Sequence, residues 1–218
     1  MAAALEFCDV AKGKQAKRQE RLPKTWLASA EDVAACKERA QGRPNWPLAL
    51  PEYKLSEEEK RMTSSSAAQL LAHLHAKDAS ARWSARQVTQ AFCKRTTLAQ
   101  QLTNCLTEIF FDEALQRAEQ LDAYMAEHGK PAGPLAGLPI SIKDNFNMKG
   151  KDSTVGFVCW ANDPQPNDAL LVRILQEQGA VLYCKTNIPV SGKERVGQHS
   201  AWLMGVPADE HDDRRDVE

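Results

Sequence analysis

Residues Gly133 to Phe146 read Gly-Pro-Leu-Ala-Gly-Leu-Pro-Ile-Ser-Ile-Lys-Asp-Asn-Phe. Gly133-Pro134 and Gly137 are breaks in the chain. Leu138 to Lys143 then alternates as a strand does, with Leu138, Ile140 and Ile142 on one face and Pro139, Ser141 and Lys143 on the other. Pro139 stands near the strand start, where a missing N–H is tolerated. Asp144 points away from Lys143. Downstream, Ala180 to Lys185 is a second strand, apolar on both faces and therefore expected in the middle of a sheet. The connection between the two predicts a helix capped by Asn167 or Asp168, turning Leu170, Leu171, Ile174 and Leu175 to the sheet and stopped by Gly179. Strand, helix, strand is the βαβ unit, whose two strands run parallel, and it places the chain in the α/β class.

Spacing alone leaves two readings of Lys143. One is a solvated charge where a strand leaves the core, the usual state of a lysine. The other is a catalytic lysine, which becomes a base near neutral pH only when desolvation or nearby positive charge lowers its pKa from about 10.4 toward about 7–8.

Upstream elements are predominantly helical. Ser56 before Glu57, Glu58 and Glu59 is a helix start, and Thr63 to Ser66 offer caps for a helix reaching Lys77 with Leu70, Leu71 and Leu74 on one face. A longer helix starts near Ser84 and buries Val88, Ala91, Phe92, Leu98 and Ala99. Leu106 to Phe111 reads as a strand. Asp112 to His128 is a helix with Leu115, Ala118, Leu121 and Met125 inward and Gly129 as its stop. Lys12, Lys14, Lys17, Arg18 and Arg21, followed by Glu20, Glu31 and Asp32, read as a solvated helix face. Pro44, Pro47 and Pro51 mark an extended segment with Trp46 and Tyr53 available to dock it.

A formal charge of −1 gives no reason to expect nucleic acid or an anionic membrane as a partner. No apolar run approaches the roughly 20 residues of a membrane span, and Met1 to Val10 lacks the pattern of a secretory signal. The six cysteines form no C-x-x-C and read as reduced thiols, which makes the cytoplasm the expected location. His73 and His75, two apart, turn away from each other on a helix, and His199 and His211 lie in an acidic tail. No metal site or cofactor is expected.

The segment ending in Ile142-Lys143-Asp144-Asn145-Phe146 resembles the lysine segment of the amidase signature family, most closely that of fungal acetamidase-type general amidases. The likeness includes Ala91-Phe92-Cys93-Lys94-Arg95, Asn104-Cys105-Leu106-Thr107-Glu108-Ile109-Phe110 and Gly179-Ala180-Val181-Leu182-Tyr183-Cys184-Lys185-Thr186-Asn187-Ile188-Pro189, and extends over about residues 20–190. It implies an α/β fold, the N-terminal portion of the amidase-signature architecture, a mixed β-sheet covered by helices. It also implies that Lys143 is the lysine of a Ser–Ser–Lys triad, moving protons through a relay serine that activates a nucleophilic serine.

In that family the relay serine lies in Gly-Gly-Ser-Ser-Gly-Gly and the nucleophile in a second Gly-Gly-Ser stretch whose N–H groups bind the oxyanion. Neither stretch occurs in these 218 residues. Gly192, Gly197 and Gly205 are isolated, Ser191-Gly192 is no nucleophile elbow, and Ser200 has no glycine beside it. Ser141 and Ser191 are the nearest candidates for an unrecognised nucleophile. The expected organisation is a helical and extended arm over 1–62, the N-terminal part of an amidase domain over 63–190, and a divergent, disordered, charge-rich tail over 191–218. The expected function is hydrolysis of a small-molecule monocarboxylic acid amide to acid and ammonia or amine, with this chain a truncated and inactive form. The alternative is a non-catalytic amidase-like protein that binds a partner. Sequence does not indicate an oligomeric state.

Overall fold

The computed structural model describes residues 2–40 and 54–188. The extended segment around Pro44, Pro47 and Pro51 and the charged tail over 191–218 lie outside the described residues. The elements in order are α1 (Ala2–Glu20), a 3-10 turn (Lys24–Trp26), α2 (Ala30–Ala40), α3 (Glu57–Ser64), α4 (Ala67–Leu74), α5 (Ala85–Thr103), β1 (Leu106–Ile109), α6 (Phe111–His128), β2 (Pro139–Lys143), a second 3-10 turn (Val158–Trp160), α7 (Leu170–Glu177) and β3 (Val181–Thr186).

Serine caps set three of the helix starts. Ser56, Ser66 and Ser84 each accept from the backbone N–H three residues on. Glu59, Gln69 and Gln87 return the bond to the cap N–H, making three reciprocal capping boxes. Asn104 and Gly129 end α5 and α6 in the left-handed region, at φ 52° and 65°. The cap expected for α7 differs. Ala169 is the N-cap and has no side-chain bond, because the Asp168 carboxylate accepts from the Lys149 N–H instead (2.7 Å).

β3 is the middle strand of the described sheet, in the order β1-β3-β2, antiparallel to β1 and parallel to β2. The β2–α7–β3 unit is therefore the parallel pair that the periodicity predicts. The register slips once, from Ile140 opposite Leu182 to Ser141 opposite Cys184, so β3 carries an extra residue at Tyr183. One face of the sheet packs Val181, Tyr183 and Cys184 with Val88, Ala91 and Cys93 of α5 and Ala114, Ala118 and Leu121 of α6. The other packs Ile142 and Leu182 with Phe110, Met148 and Val172.

The entries to β2 and β3 lie against each other. Leu135 N–H donates to Gln178 O (2.9 Å) and Gly137 N–H to Gly179 O (3.0 Å). A Cβ on Gly133 would collide with the Gln178 carbonyl. Gly179, at φ +88°, would bring one within 2.8 Å of the Ala136 backbone.

Two expected surfaces turn out differently. On α7, Val172 is buried and Leu175 packs beside it, whereas Leu170, Leu171 and Ile174 are 64%, 42% and 43% exposed and do not face the sheet. A stripe of two inward positions is enough here, because the loop residues Phe146 and Met148 fill the same core. The basic cluster of α1 is a solvated face only in part: Lys12, Lys17 and Arg21 are exposed, but others turn inward. Lys14 bonds Glu108 and Asp152, Arg18 is buried and donates to Leu106 O (2.9 Å), and Arg21 donates to Ile109 O (3.0 Å). Its targets lie far along the chain, so charge spacing within the helix carried no sign of them.

Candidate active site

β2 and β3 leave their parallel pairing side by side, with Lys143 opposite Thr186. At this end the chain places two lysines of opposite character. Lys143 is exposed, as is Ser141 two residues before it. Among the described residues, neither side chain makes a hydrogen bond or ion pair. Lys185, by contrast, is buried, with no exposed surface.

Lys185 Nζ donates to the Asp152 carbonyl (2.5 Å) and to Ser153 Oγ (2.8 Å), and lies 3.4 Å from Asp144 Oδ1. Burial lowers its pKa from the usual lysine value, with Asp144 the main opposing charge, then Glu108 and Asp152. Asp144, itself 1% exposed, accepts from Thr107 Oγ1 (2.7 Å), Thr154 Oγ1 (3.0 Å) and the Val155 N–H (2.8 Å). Its own N–H donates to Thr186 O (2.9 Å). All the polar valences of this carboxylate are spent on holding neighbours, so Asp144 is an anchor and not a free base.

The anchored segment is strained. Val155 has φ +50°, a conformation β-branched residues rarely adopt, with a penalty on the order of 1–3 kcal/mol. The Asp144–Val155 bond holds it there. A further layer joins the segment to α1, since Asp152 Oδ2 accepts from Lys14 Nζ (2.6 Å) and from the Asn162 N–H (2.7 Å). The strand end thus stands on a buried network of Lys14, Glu108, Asp144, Asp152 and Lys185, and Lys143 stands beside it with its ammonium uncommitted.

Sequence reasoning selected Lys143 and missed the network. One signal was available: Lys185 ends a strand that is otherwise apolar on both faces, and a charge there has to find partners. Glu108, between Thr107 and Ile109 in a fully buried strand, carried the same signal. Elsewhere, His73 bonds Ala81 O and stacks on Trp83, and His75 bonds Ala136 O. A cleft of about 250 Å³ lined by Leu74, His75, Arg82, Trp83, Leu121 and Met125 lies near Ala136 and Gly137, at the opposite end of β2 from Lys143. None of the six cysteines is in a disulfide, and Cys93 and Cys184 lie in the core. Among the described residues no helix is long and apolar enough to cross a membrane.

The acetamidase of Emericella nidulans is 46% identical over 135 residues, 62% of this chain and 24% of its own length. An amidase of Gibberella moniliformis is 41% identical over 177 residues, 81% of this chain and 33% of its own length. The structure of a fatty acid amide hydrolase superposes on 83% of this chain and 31% of its own, with a TM-score of 0.72 and 32% identity. The chain thus spans about a quarter to a third of the length of the relatives it matches. The family model for amidases matches residues 87–206, more than half of the chain and a stretch that contains β1, β2, β3 and both lysines. By that match, and by a fold shared with a solved amide hydrolase, the chain belongs to the amidase family.

Proposed function

We propose that this chain supplies the lysine part of an amidase site, with Lys143 as the group that moves protons during hydrolysis of a monocarboxylic acid amide to acid and ammonia or amine. The observation that carries the reading is the pairing of an uncommitted Lys143 ammonium with a rigid buried support at the end of two parallel strands, inside the stretch matched by the amidase family. The likeness to fungal acetamidases supports small linear amides as the substrate class.

Amide hydrolysis needs a nucleophile, a proton shuttle and donors for the oxyanion. Lys143 supplies the shuttle alone. A lysine acts as a base when water is excluded from it, and Lys143 is exposed here. The 218 residues contain neither glycine-serine stretch. The polypeptide of these residues therefore has no turnover of its own in this reading. The test is an acetamide and aryl-amide assay on the purified chain beside Lys143→Ala. The expected result is a background rate in both. Turnover that vanishes in Lys143→Ala would mean that a nucleophile such as Ser141 already works with the lysine in this chain.

A further inference from the structure

The end of α4, the turn after it, the start of α5 and the second half of α6 enclose the cleft of about 250 Å³ at the opposite end of β2 from Lys143. Bonds within the protein fix its walls. His75 Nε2 meets the Ala136 carbonyl (3.0 Å), and because a carbonyl only accepts, this nitrogen carries the ring proton. Asp122 accepts from the Ala85 N–H (2.7 Å) and the Arg86 N–H (3.0 Å), so its charge is engaged at the N-terminus of α5. The Trp83 ring stacks on His73 at 3.9 Å, with the Arg61 guanidinium 5.1 Å from its centre. Gly137 passes so close beneath that a Cβ there would lie 2.9 Å from Ala85 and 3.0 Å from Leu74. Against these engaged groups, the Arg82 guanidinium makes no hydrogen bond or ion pair among the described residues. The Trp83 indole N–H makes no hydrogen bond there either, although Trp83 is only 6% exposed, and it is not sealed within the core. Leu74, Leu121, Met125 and Pro131 add apolar surface to the same lining.

We propose that this cleft is a binding site for a small monocarboxylate with a short hydrocarbon tail. The guanidinium fork of Arg82 matches a carboxylate with two parallel bonds, and the Trp83 indole N–H is a further donor on the same lining. The tail covers the apolar residues. The volume lies below the roughly 300–1,000 Å³ of sites for drug-sized molecules, which limits the occupant to a few carbon atoms. Asp122, on the same lining, repels a second negative charge and so favours a monoanion over a phosphate. The acid released in the amidase reading belongs to this class of ligand, but the inference stands without that reading. The site is also distinct from Lys143, since the whole of β2 lies between them.

The test is an NMR titration of the isotope-labelled 218-residue chain with sodium butyrate, read at the Trp83 indole N–H. The expected result is a saturable shift of that signal, with binding that tightens about three- to fourfold for each methylene added from acetate to butyrate. Butyramide, which has the same shape without the charge, should bind about tenfold more weakly or worse, and Arg82→Gln should weaken butyrate by a similar factor. Lys143→Ala should leave butyrate binding as it is. Circular dichroism reports the fold of each variant, and the ligand series on the unmodified chain decides the matter even if Arg82→Gln does not fold. The proposal is overturned if butyrate leaves the indole signal unmoved, if butyramide binds as well as butyrate, or if inorganic phosphate binds more tightly than butyrate. It is equally overturned if folded Arg82→Gln binds butyrate like the unmodified chain. Binding that is lost in Lys143→Ala would place the carboxylate at the other uncommitted cation; that result ends this proposal and leaves the amidase reading standing, so the two claims fail separately.

Discussion

A lysine without solvent is tolerated only when its neighbours replace the water, and Lys185 has Asp144, Ser153 and the Asp152 carbonyl for that purpose. Removing one member of a buried pair leaves the other charge without compensation. Lys185→Met should therefore destabilise the chain by about 3 kcal/mol, at the lower end of the range for broken buried pairs because Asp144 keeps three other donors. Urea unfolding measures it. The same substitution has a pH signature. The folded-state pKa of Lys185 is lowered by burial from the ordinary 10.5. Between the lowered value and 10.5 the unfolded chain holds a proton that the folded lysine has released, so this group's contribution to stability rises with pH across that window. Burial pushes the Cys93 and Cys184 thiols and the Tyr183 hydroxyl up, which acts in the opposite sense in alkali. Wild type and Lys185→Met therefore have to be compared at each pH, and the gap should widen as pH rises toward 10.5. A gap that narrows there would contradict the burial argument.

Among the elements, α1 and α7 carry the sharpest expectations. Lys14 bridges Glu108 on β1 and Asp152 in the segment after β2, and both carboxylates are nearly buried. Lys14→Met should cost about 3 kcal/mol. It should also loosen α1 first, seen as faster tryptic cleavage at Lys17 and Arg18; unchanged cleavage would mean that the arginines alone hold the helix. On α7, Val172→Ala should cost about 2 kcal/mol, while Ile174→Lys on the exposed side should stay within about 0.5 kcal/mol in thermal unfolding. These two helices also mark where sequence reading stops. Caps, left-handed stops and strand periodicity are local, so Ser56, Ser84, Gly129 and the parallel β2–β3 pair were readable. The partner of Arg18 lies 88 residues away in sequence, and that of Lys14 Nζ at Asp152 lies 138 away. No periodicity encodes such distances. Lys143 was found through its motif, but its exposure depends on which neighbours cover the strand end, and that is a property of the folded whole.

In the described residues α1 closes the sheet at β1, α5 and α6 cover one face, and no strand pairs with the outer edge of β2 beside Lys143. A role for Lys143 in an amidase site requires the exposed lysine to be covered by polypeptide bearing a nucleophile. The most direct test is a chimera in which the matched stretch of the Emericella nidulans acetamidase is replaced by the corresponding stretch of this chain, with steady-state hydrolysis of acetamide measured with and without Lys143→Ala. Members of a catalytic unit typically lose several orders of magnitude in rate when one is removed. The account predicts an active chimera whose kcat falls by about 10³-fold or more in Lys143→Ala; a chimera that keeps its kcat within about tenfold after that substitution would contradict it.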